Sequence, residues 1–493
     1  MKITETISRV LLASLLLISI HTLLPAAQTD AQQDMNSSID SYVESFLKEH
    51  RIPGASVILV RGQDTFYAKG WGVTGDSEEK VTPDTPFSLG SISKSLTGLA
   101  VMKLIEEGSV NLEDPVQTYL PWFTLQDKQA AAQITIKHLL THASGLSTYT
   151  GLNISDKGAK DSDAIKNNVK SLSDVKLTAS PGEIYQYSNA NFLILGALIE
   201  EITDQTYSDY MEQQIFKPLG MTHTAADSDV AYEKGYEAGY QSWIGISHKS
   251  NIPYDNGGAP YGYIAASAND MAKYIQFLTK QQPGSILKEE SIDQLYSPLL
   301  QTKKDRYYGF GWRITDDPVP SNKMIWHSGS TPDSHAEIFF FPETGWGGAI
   351  LTNKNHILEE TALLYLKKGI INLVNSEEPP TIPDNRPIIQ LVLLGSVILL
   401  FMVTVFLIIK LRRGNVLRKR AWRLISALFL VLSVAIIPLL IFNTKSPWHA
   451  IQMFSPDVAL LTSLICFLLA CSGILSVFIS FRTKFIYPQK TSV

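Results

Sequence analysis

Cysteine is almost absent: 493 residues contain two, Cys466 and Cys471, both in an apolar stretch near the C-terminus. That scarcity excludes a disulfide framework, a cysteine-based zinc site and a thiol nucleophile. Positive charge is scarce too where a polyanion would need it. The net charge is −5, yet the residues from Pro387 onward carry 11 basic groups and one acidic group, Asp457. The first 386 residues therefore hold 31 basic against 46 acidic residues, a net −15 with no basic face for nucleic acid. There is no internal repeat and no long low-complexity run. What the chain has in abundance is apolar sequence at its two ends.

Lys2 and Arg9 precede a mostly apolar run, Val10 to Leu24, followed by Ala26 and Ala27. This is the pattern of an export signal over residues 1–31, either cleaved or kept as an anchor. Three further runs, 387–409, 422–442 and 458–481, carry at most one charge each and are long enough to cross about 30 Å of hydrocarbon. Seven basic residues from Lys410 to Arg423 separate the first two, whereas 443–457 holds only Lys445 and Asp457. The positive-inside rule then places the first loop and the C-terminus in the cytoplasm and everything before Pro387 outside. Three membrane helices are expected within 387–485, with a lipid bilayer as their partner.

Between the ends lies one expected globular domain, residues 36–375, closed by a proline-rich linker at 376–386 that cannot continue a helix. A helix capped by Ser37 or Ser38 opens it, with Ile39, Val43, Phe46 and Leu47 at helical spacing. Ala55 to Arg61 and Thr65 to Val73 form an expected hairpin, and Met324 to Ser328, Ala336 to Phe341 and Gly347 to Thr352 three more strands. A helix over Glu359 to Leu373 ends the domain. Residues 153–178, rich in Lys, Asp and Ser, are expected to be an exposed insertion. Strands at both ends of a mostly helical middle predict an α/β (α+β) architecture: one sheet completed by both chain ends, plus a helical subdomain.

Chemistry enters at Ser91-Ile92-Ser93-Lys94, which opens an apolar helix. Positions i and i+3 share a helix face, so a Ser91 hydroxyl and a Lys94 amine can meet. A serine hydroxyl is a poor nucleophile until a neighbour takes its proton, and a lysine held where its charge is disfavoured can serve. Ser-x-x-Lys alone is weak, because many helices begin with a capping serine. Tyr187-Ser188-Asn189 on a loop before a second apolar helix, and His327-Ser328-Gly329-Ser330 at a strand, add two more polar elements.

With these elements the sequence resembles the serine β-lactamase and penicillin-binding-protein superfamily, in its class C-like branch of D-Ala-D-Ala carboxypeptidases, D-amino-acid peptidases and esterases. The likeness covers about residues 38 to 370 and includes Ile136 to Leu146, which holds His138 and His142. It implies a β-lactamase/transpeptidase-like antiparallel sheet flanked by N- and C-terminal helices. It implies Ser91 as the acylated nucleophile, Lys94 as the group lowering its proton affinity and Tyr187 as the general base. Asn189 would bind the substrate amide, and the Ser91 and Ser330 N–H groups beside Gly329 would form the oxyanion hole. The third motif has His327 where lysine is usual. A charged lysine could hold a substrate carboxylate, so its loss leaves no permanent anchor, and a neutral His327 could reach Tyr187.

Other residues invite a different reading. His138 and His142 sit at i and i+4, but without the Glu of His-Glu-x-x-His no metal site is expected. Gly257 to Gly262 lacks the strand and helix of a phosphate loop and is expected at the cleft rim. Ser267 and Asp270 read as a capping box. Trp312 and Trp326 read as core or cleft lining rather than a sugar platform. The expectation is a membrane-anchored extracytoplasmic serine hydrolase without cofactors, acting on D-alanyl peptides or esters of the cell envelope, with β-lactams as further ligands. The alternatives are a non-catalytic receptor for muropeptides or β-lactams, and a β-lactamase. Oligomeric state cannot be read from the sequence.

Overall fold

The computed structural model describes residues 32–280, 286–316, 323–413 and 419–481; the expected export signal at 1–31 lies outside them. The chain divides into two compact units, Met1–Arg51 with Glu359–Asn385, and Ile52–Leu358 with Arg386–Val493.

In the first unit a helix runs over residues 32 to 50, with Ile39, Val43 and Phe46 fully buried on one stripe. It begins before Ser37. Neither Ser37 nor Ser38 caps it: the Ser38 hydroxyl donates to Asp34 O at 2.9 Å, one turn back inside the helix. Its partner is the helix Glu360–Val374, reached by a Tyr42 Oη bond to Tyr365 O at 3.1 Å. Gly369 lies under the Tyr42 ring, where a Cβ would collide with it.

In the second unit the expected hairpin forms as β1 (Gly54–Arg61) and β2 (Asp64–Gly72). Five strands from the far end of the domain extend the sheet, and a sixth starts that run: β3 (Leu300–Lys303), β4 (Arg306–Tyr308), β5 (Arg313–Thr315), β6 (Met324–Thr331), β7 (Ser334–Phe341) and β8 (Trp346–Thr352). The order is β2-β1-β8-β7-β6-β5-β4-β3, antiparallel throughout. β1 pairs β8 from Ala55↔Thr352 to Arg61↔Trp346, so the two ends of the domain meet at the sheet centre. Seven of the eight β1 residues are buried, which requires cover on both faces. Short strands β3 to β5 are absent from the sequence reading, because three or four residues give too little alternation to register.

Three helices of this unit bear on the site: α1 (Ser93–Glu106), α2 (Asn189–Thr203) and α3 (Ala268–Leu278). The first two are apolar all round and lie in the core. α3 packs on β1 and β8. Ser267 caps α3 through Asp270 N, but the Asp270 carboxylate accepts from His223 N at 2.6 Å and Thr224 Oγ1 at 2.8 Å rather than closing the expected box. Residues 153–178 are not an exposed insertion. They are partly exposed and include the helix Ala164–Lys170, whose Ala164, Ile165 and Val169 are buried, an apolar spacing hidden among charged residues.

The last part of this unit holds α4 (Ile388–Arg413), α5 (Lys419–Thr444), α6 (Trp448–Phe454) and α7 (Pro456–Phe481). The helices at 388–413, 420–444 and 456–481 are long and apolar enough to cross a membrane. Leu424, Val434 and Phe442 are 73%, 71% and 80% exposed, which suits lipid and not water. α7 is the shared partner of α4 and α5, with small residues at the contacts: Ser472 Oγ lies 2.8 Å from Thr404 Oγ1, and Ser426 Oγ donates to Gly473 O at 2.9 Å.

Candidate active site

Ser91 sits in a single 3-10 turn, Gly90–Ile92, that leads into α1. Two glycines let β6 press against that turn. Gly90 has φ +53°, and a Cβ on it would collide with Ser330 N, while one on Gly329 would strike Leu89 O and crowd Ser91 N. The Ser91 and Ser330 backbones are thereby held against each other, a closeness that an oxyanion hole made of their two N–H groups would need.

Lys94 is fully buried and donates from Nζ to Ser91 Oγ at 3.0 Å and to Tyr261 O at 2.8 Å. Burial pushes its pKa well below the usual lysine range; the Arg313 charge lowers it further and Asp156 opposes. Desolvation favours the neutral amine, which is the form that can accept a proton. Tyr261 belongs to the glycine-rich 257–262 stretch, so this stretch supplies a ligand to the lysine rather than only a rim. The Lys94 amine also lies 4.9 Å from the Tyr187 ring centre.

The Tyr187 hydroxyl is buried beside Ser91 and Arg313, close enough for both to favour its ionised form, yet it closes a hydrogen bond of ordinary geometry with neither. Burial outweighs them and raises its pKa, so the phenol keeps its proton at neutral pH. Asn189 opens α2 and donates from Nδ2 to Ser155 Oγ at 2.9 Å. The structure thus brings Ser91, Lys94 and Tyr187 together with the Gly329–Ser330 backbone against the Ser91 turn, while Asn189 is tied to Ser155.

His327 behaves differently from the expectation. It is fully buried, and its Nδ1 faces Ser328 O at 2.6 Å while Nε2 faces Tyr308 Oη at 3.4 Å. A nitrogen facing a carbonyl carries the proton, which leaves Nε2 to accept and fits a neutral ring. Its contact with Tyr187 is between ring faces at 6.3 Å, not the hydrogen bond that the sequence allowed.

Four residues escaped the sequence reading. His142, set aside there as half of a false metal pair, is buried and left-handed at φ +58°, a conformation that costs about 1–3 kcal/mol. Its Nδ1 accepts from Ser188 N at 3.2 Å and from Asn191 Nδ2 at 2.9 Å, so Nε2 carries the proton toward Tyr308 Oη at 3.2 Å. Burial first, then Lys94, His327 and Arg313, hold its pKa well below the usual value. This ring fixes the Tyr187-Ser188-Asn189 turn, and Tyr308 links it to His327. Arg313 on β5 places a permanent cation 5.3 Å from the Tyr187 ring centre, with a buried Nε that has no hydrogen-bond partner. The sequence reading, which found no permanent carboxylate anchor at position 327, did not consider this cation; the signal was an arginine inside the apolar stretch Trp312-Arg313-Ile314. Asp156, in the stretch read as an insertion, accepts from Tyr263 Oη at 2.6 Å, and burial pushes its pKa up to about 6. No signal in the sequence joined it to Lys94.

Behind Ser330 a buried chain continues: Ser330 Oγ lies 3.0 Å from His335 Nδ1, and His335 Nε2 lies 3.1 Å from Glu337 Oε1. No group of three or more His, Cys, Asp or Glu suited to a metal ion occurs among the described residues.

Comparison with known proteins agrees with this geometry. The beta-lactamase family model matches residues 39–368. Protein flp of Staphylococcus aureus (strain N315) is 28% identical over 459 residues, covering 89% of this chain and 90% of that protein. Penicillin-binding protein 4* of Bacillus subtilis is 25% identical over 357 residues, covering 69% and 77%. Among solved structures, the octameric penicillin-binding protein homologue from Pyrococcus abyssi superposes with a TM-score of 0.61 at 26% identity, over 73% of this chain and 81% of that one. The D-alanine carboxypeptidase AmpC from Burkholderia cenocepacia shares the fold, with a TM-score of 0.57 at 22% identity over 70% and 99%. A matched segment that contains the serine, the lysine and the sheet around them settles the assignment: the chain belongs to the beta-lactamase family, within the serine β-lactamase and penicillin-binding-protein superfamily.

Proposed function

We propose that the protein is a membrane-anchored extracytoplasmic serine hydrolase that acts through an acyl-serine intermediate on D-alanyl peptides or esters of the cell envelope. One observation carries the chemistry: a buried lysine with a depressed pKa, 3.0 Å from the hydroxyl it would deprotonate. Neutral Lys94 takes the Ser91 proton as Oγ attacks the substrate carbonyl, and the carbonyl oxygen turns toward the Ser91 and Ser330 N–H groups, each worth about 2.7–4 kcal/mol in the transition state. Tyr187, which keeps its proton, then hands it to the leaving group and recovers one from Lys94. With both groups reset, a water gives one proton to neutral Lys94 as its oxygen attacks the acyl carbonyl, and Lys94 passes that proton to Ser91 Oγ as the acyl–serine bond breaks. This assigns the base to Lys94 and a relay to Tyr187, the reverse emphasis from the sequence expectation, because the phenol's pKa is raised and the amine's lowered.

Asn189 holds the acyl-side amide and Arg313 the negative charge of the leaving group, its unpartnered Nε being the donor left over for that purpose. No cofactor is required. The apolar helices and the basic 410–423 loop support the outside placement of the cleft. A non-catalytic receptor would have no use for a neutralised lysine on a serine, and three spans hold the domain beside envelope substrates rather than releasing it as a secreted β-lactamase.

The test is mass spectrometry of the whole protein after reaction with a fluorescent penicillin and with D-alanyl esters. Wild type should gain one acyl adduct on Ser91 and the Ser91→Ala variant none; equal adducts in both would assign the nucleophile elsewhere. For orientation, with the two native cysteines replaced by serine, a cysteine at exposed Ser162 should react with membrane-impermeant maleimide on intact cells and one at Arg413 should not. The opposite pattern would remove the envelope substrate.

A further inference from the structure

The spans do not merely trail from the hydrolase domain; their outer end is built into it. Asp457, the second residue of α7, is 1% exposed and accepts from Ile244 N at 2.8 Å, and its other oxygen lies 2.9 Å from Nε2 of fully buried His356. Ile357 N donates to Phe454 O at 3.0 Å, and Gln241 Nε2 to Met453 O at 2.7 Å, satisfying carbonyls at the end of α6. Gln241 and Ile244 come from the strand Tyr240–Trp243 and its turn, His356 and Ile357 from the chain just past β8. At the other end of α6, His449 Nε2 lies 3.3 Å from Asp156 O.

A carboxylate buried this fully needs its hydrogen-bond partners, and removing one side of the contact leaves a buried polar group unsatisfied. A loose tether has no use for such a contact, whereas a junction that must hold one geometry does. The side of the domain it holds is the side of the cleft. His449 touches Asp156, Asp156 follows Ser155, and Ser155 Oγ receives the Asn189 amide. Two hydrogen bonds and one residue step put Asn189 within about 15 Å of α6. With α7 crossing the bilayer, as its length and apolarity suit, Asp457 at its second position falls at the edge of the hydrocarbon, and the polar layer beyond is about 5–8 Å deep. A substrate group held near the lipid headgroups is therefore within reach of Asn189, the residue proposed to hold its amide.

We propose that the α6–α7 junction docks the cleft on the outer surface of the bilayer, and that its acyl donor is a D-alanyl group carried on a membrane-anchored molecule. The inference rests on the serine chemistry and the orientation proposed above, and goes beyond them by naming where the substrate is held. Asp457, His356 and Gln241 are positioning residues; they touch neither the substrate nor Ser91.

The experiment uses the full chain in phosphatidylglycerol vesicles and one chromogenic D-alanyl thioester in two forms. One is the water-soluble thioglycolate, the other the same head on dioleoylglycerol through a spacer of about 15 Å, matched to the span. Asp457→Asn, and the milder Gln241→Ala, should slow the lipid-linked substrate by about tenfold and about threefold, with thioglycolate turnover within about twofold of wild type, since only effective concentration changes. Lengthening the spacer to about 60 Å should erase the difference between wild type and Asp457→Asn, because a long tether finds an undocked cleft equally well. Unchanged lipid-linked rates in both variants, or equal losses on both substrates, would overturn the docking role. Hydrolysis of both thioesters that survives Ser91→Ala would instead overturn the serine chemistry, a separate result read in the same assay.

Discussion

Buried histidines are used in two different ways within the second unit. In the cleft, His142 and His327 face each other through Tyr308 and have Lys94 and Arg313 as charged neighbours. Near the membrane junction and behind Ser330, His356 and His335 each face a carboxylate, Asp457 and Glu337. Burial, with a neighbouring cation, makes protonation of Lys94 costly, which keeps an amine neutral and ready to accept a proton. An imidazole bonded to a buried carboxylate ties two elements together. The first arrangement is the one to which the proposed chemistry belongs, and the second joins elements of the fold.

Removing the nucleophile breaks that contrast most severely. Ser91→Ala should lower turnover by about 10³-fold or more while leaving the melting temperature unchanged. Lys94→Met should follow at about 10²-fold or more, and Lys94→Arg should not restore activity, since a permanent cation cannot accept a proton. Steady-state rates on a D-alanyl ester, beside a thermal melt, decide both. Recovery by Lys94→Arg would mean that charge, and not basicity, is what the position supplies.

Arg313→Leu gives the next effect. Substrates with a leaving-group carboxylate should lose about 10- to 100-fold in kcat/KM, the value of a charge-assisted hydrogen bond, and amidated counterparts little. Losing this cation also lets Lys94 hold its proton more tightly, so the acid limb of the pH profile should move up. Asp156→Asn is the smallest and the sharpest test, because its sign is opposite. The Asp156 carboxylate, with a pKa pushed up to about 6, raises the Lys94 pKa once ionised. Its loss should move the acid limb of kcat/KM to lower pH, by less than about one unit. Shifts in the same direction for both variants would show that Lys94 is not the group whose titration sets that limb.

How much of this was legible in the sequence follows from the range of each interaction. Ser91 and Lys94 are three residues apart on one helical turn, so local geometry alone joins them. The strands at 54–72 and 324–352 show in the sequence because each is seven residues or more with β-branched or aromatic side chains. The resemblance brought in Tyr187, Asn189 and His327 at their positions, but not what surrounds them. Arg313 reaches Tyr187 from a strand of three residues, and Asp156 reaches Lys94 from a stretch whose charge masked a buried helix. His142 needed its hydrogen bonds to Ser188 and Asn191, 46 and 49 residues away, before it could be told from a metal ligand. Residues that act across long sequence separations are set by tertiary packing, which leaves no periodic trace.

The pairing of β1 with β8 has a consequence for how the chain is made. Arg61 and Trp346 are partners across roughly 285 residues, so the first hairpin leaves the ribosome with one apolar edge unpaired. At about 5–20 residues per second that edge waits about 15 to 60 s for its neighbour. Only a few tens of residues then separate β8 from the start of α4 at Ile388. The central sheet thus closes just as the first long apolar helix emerges, and the order of synthesis makes folding of the sheet and delivery of that helix a single, late event.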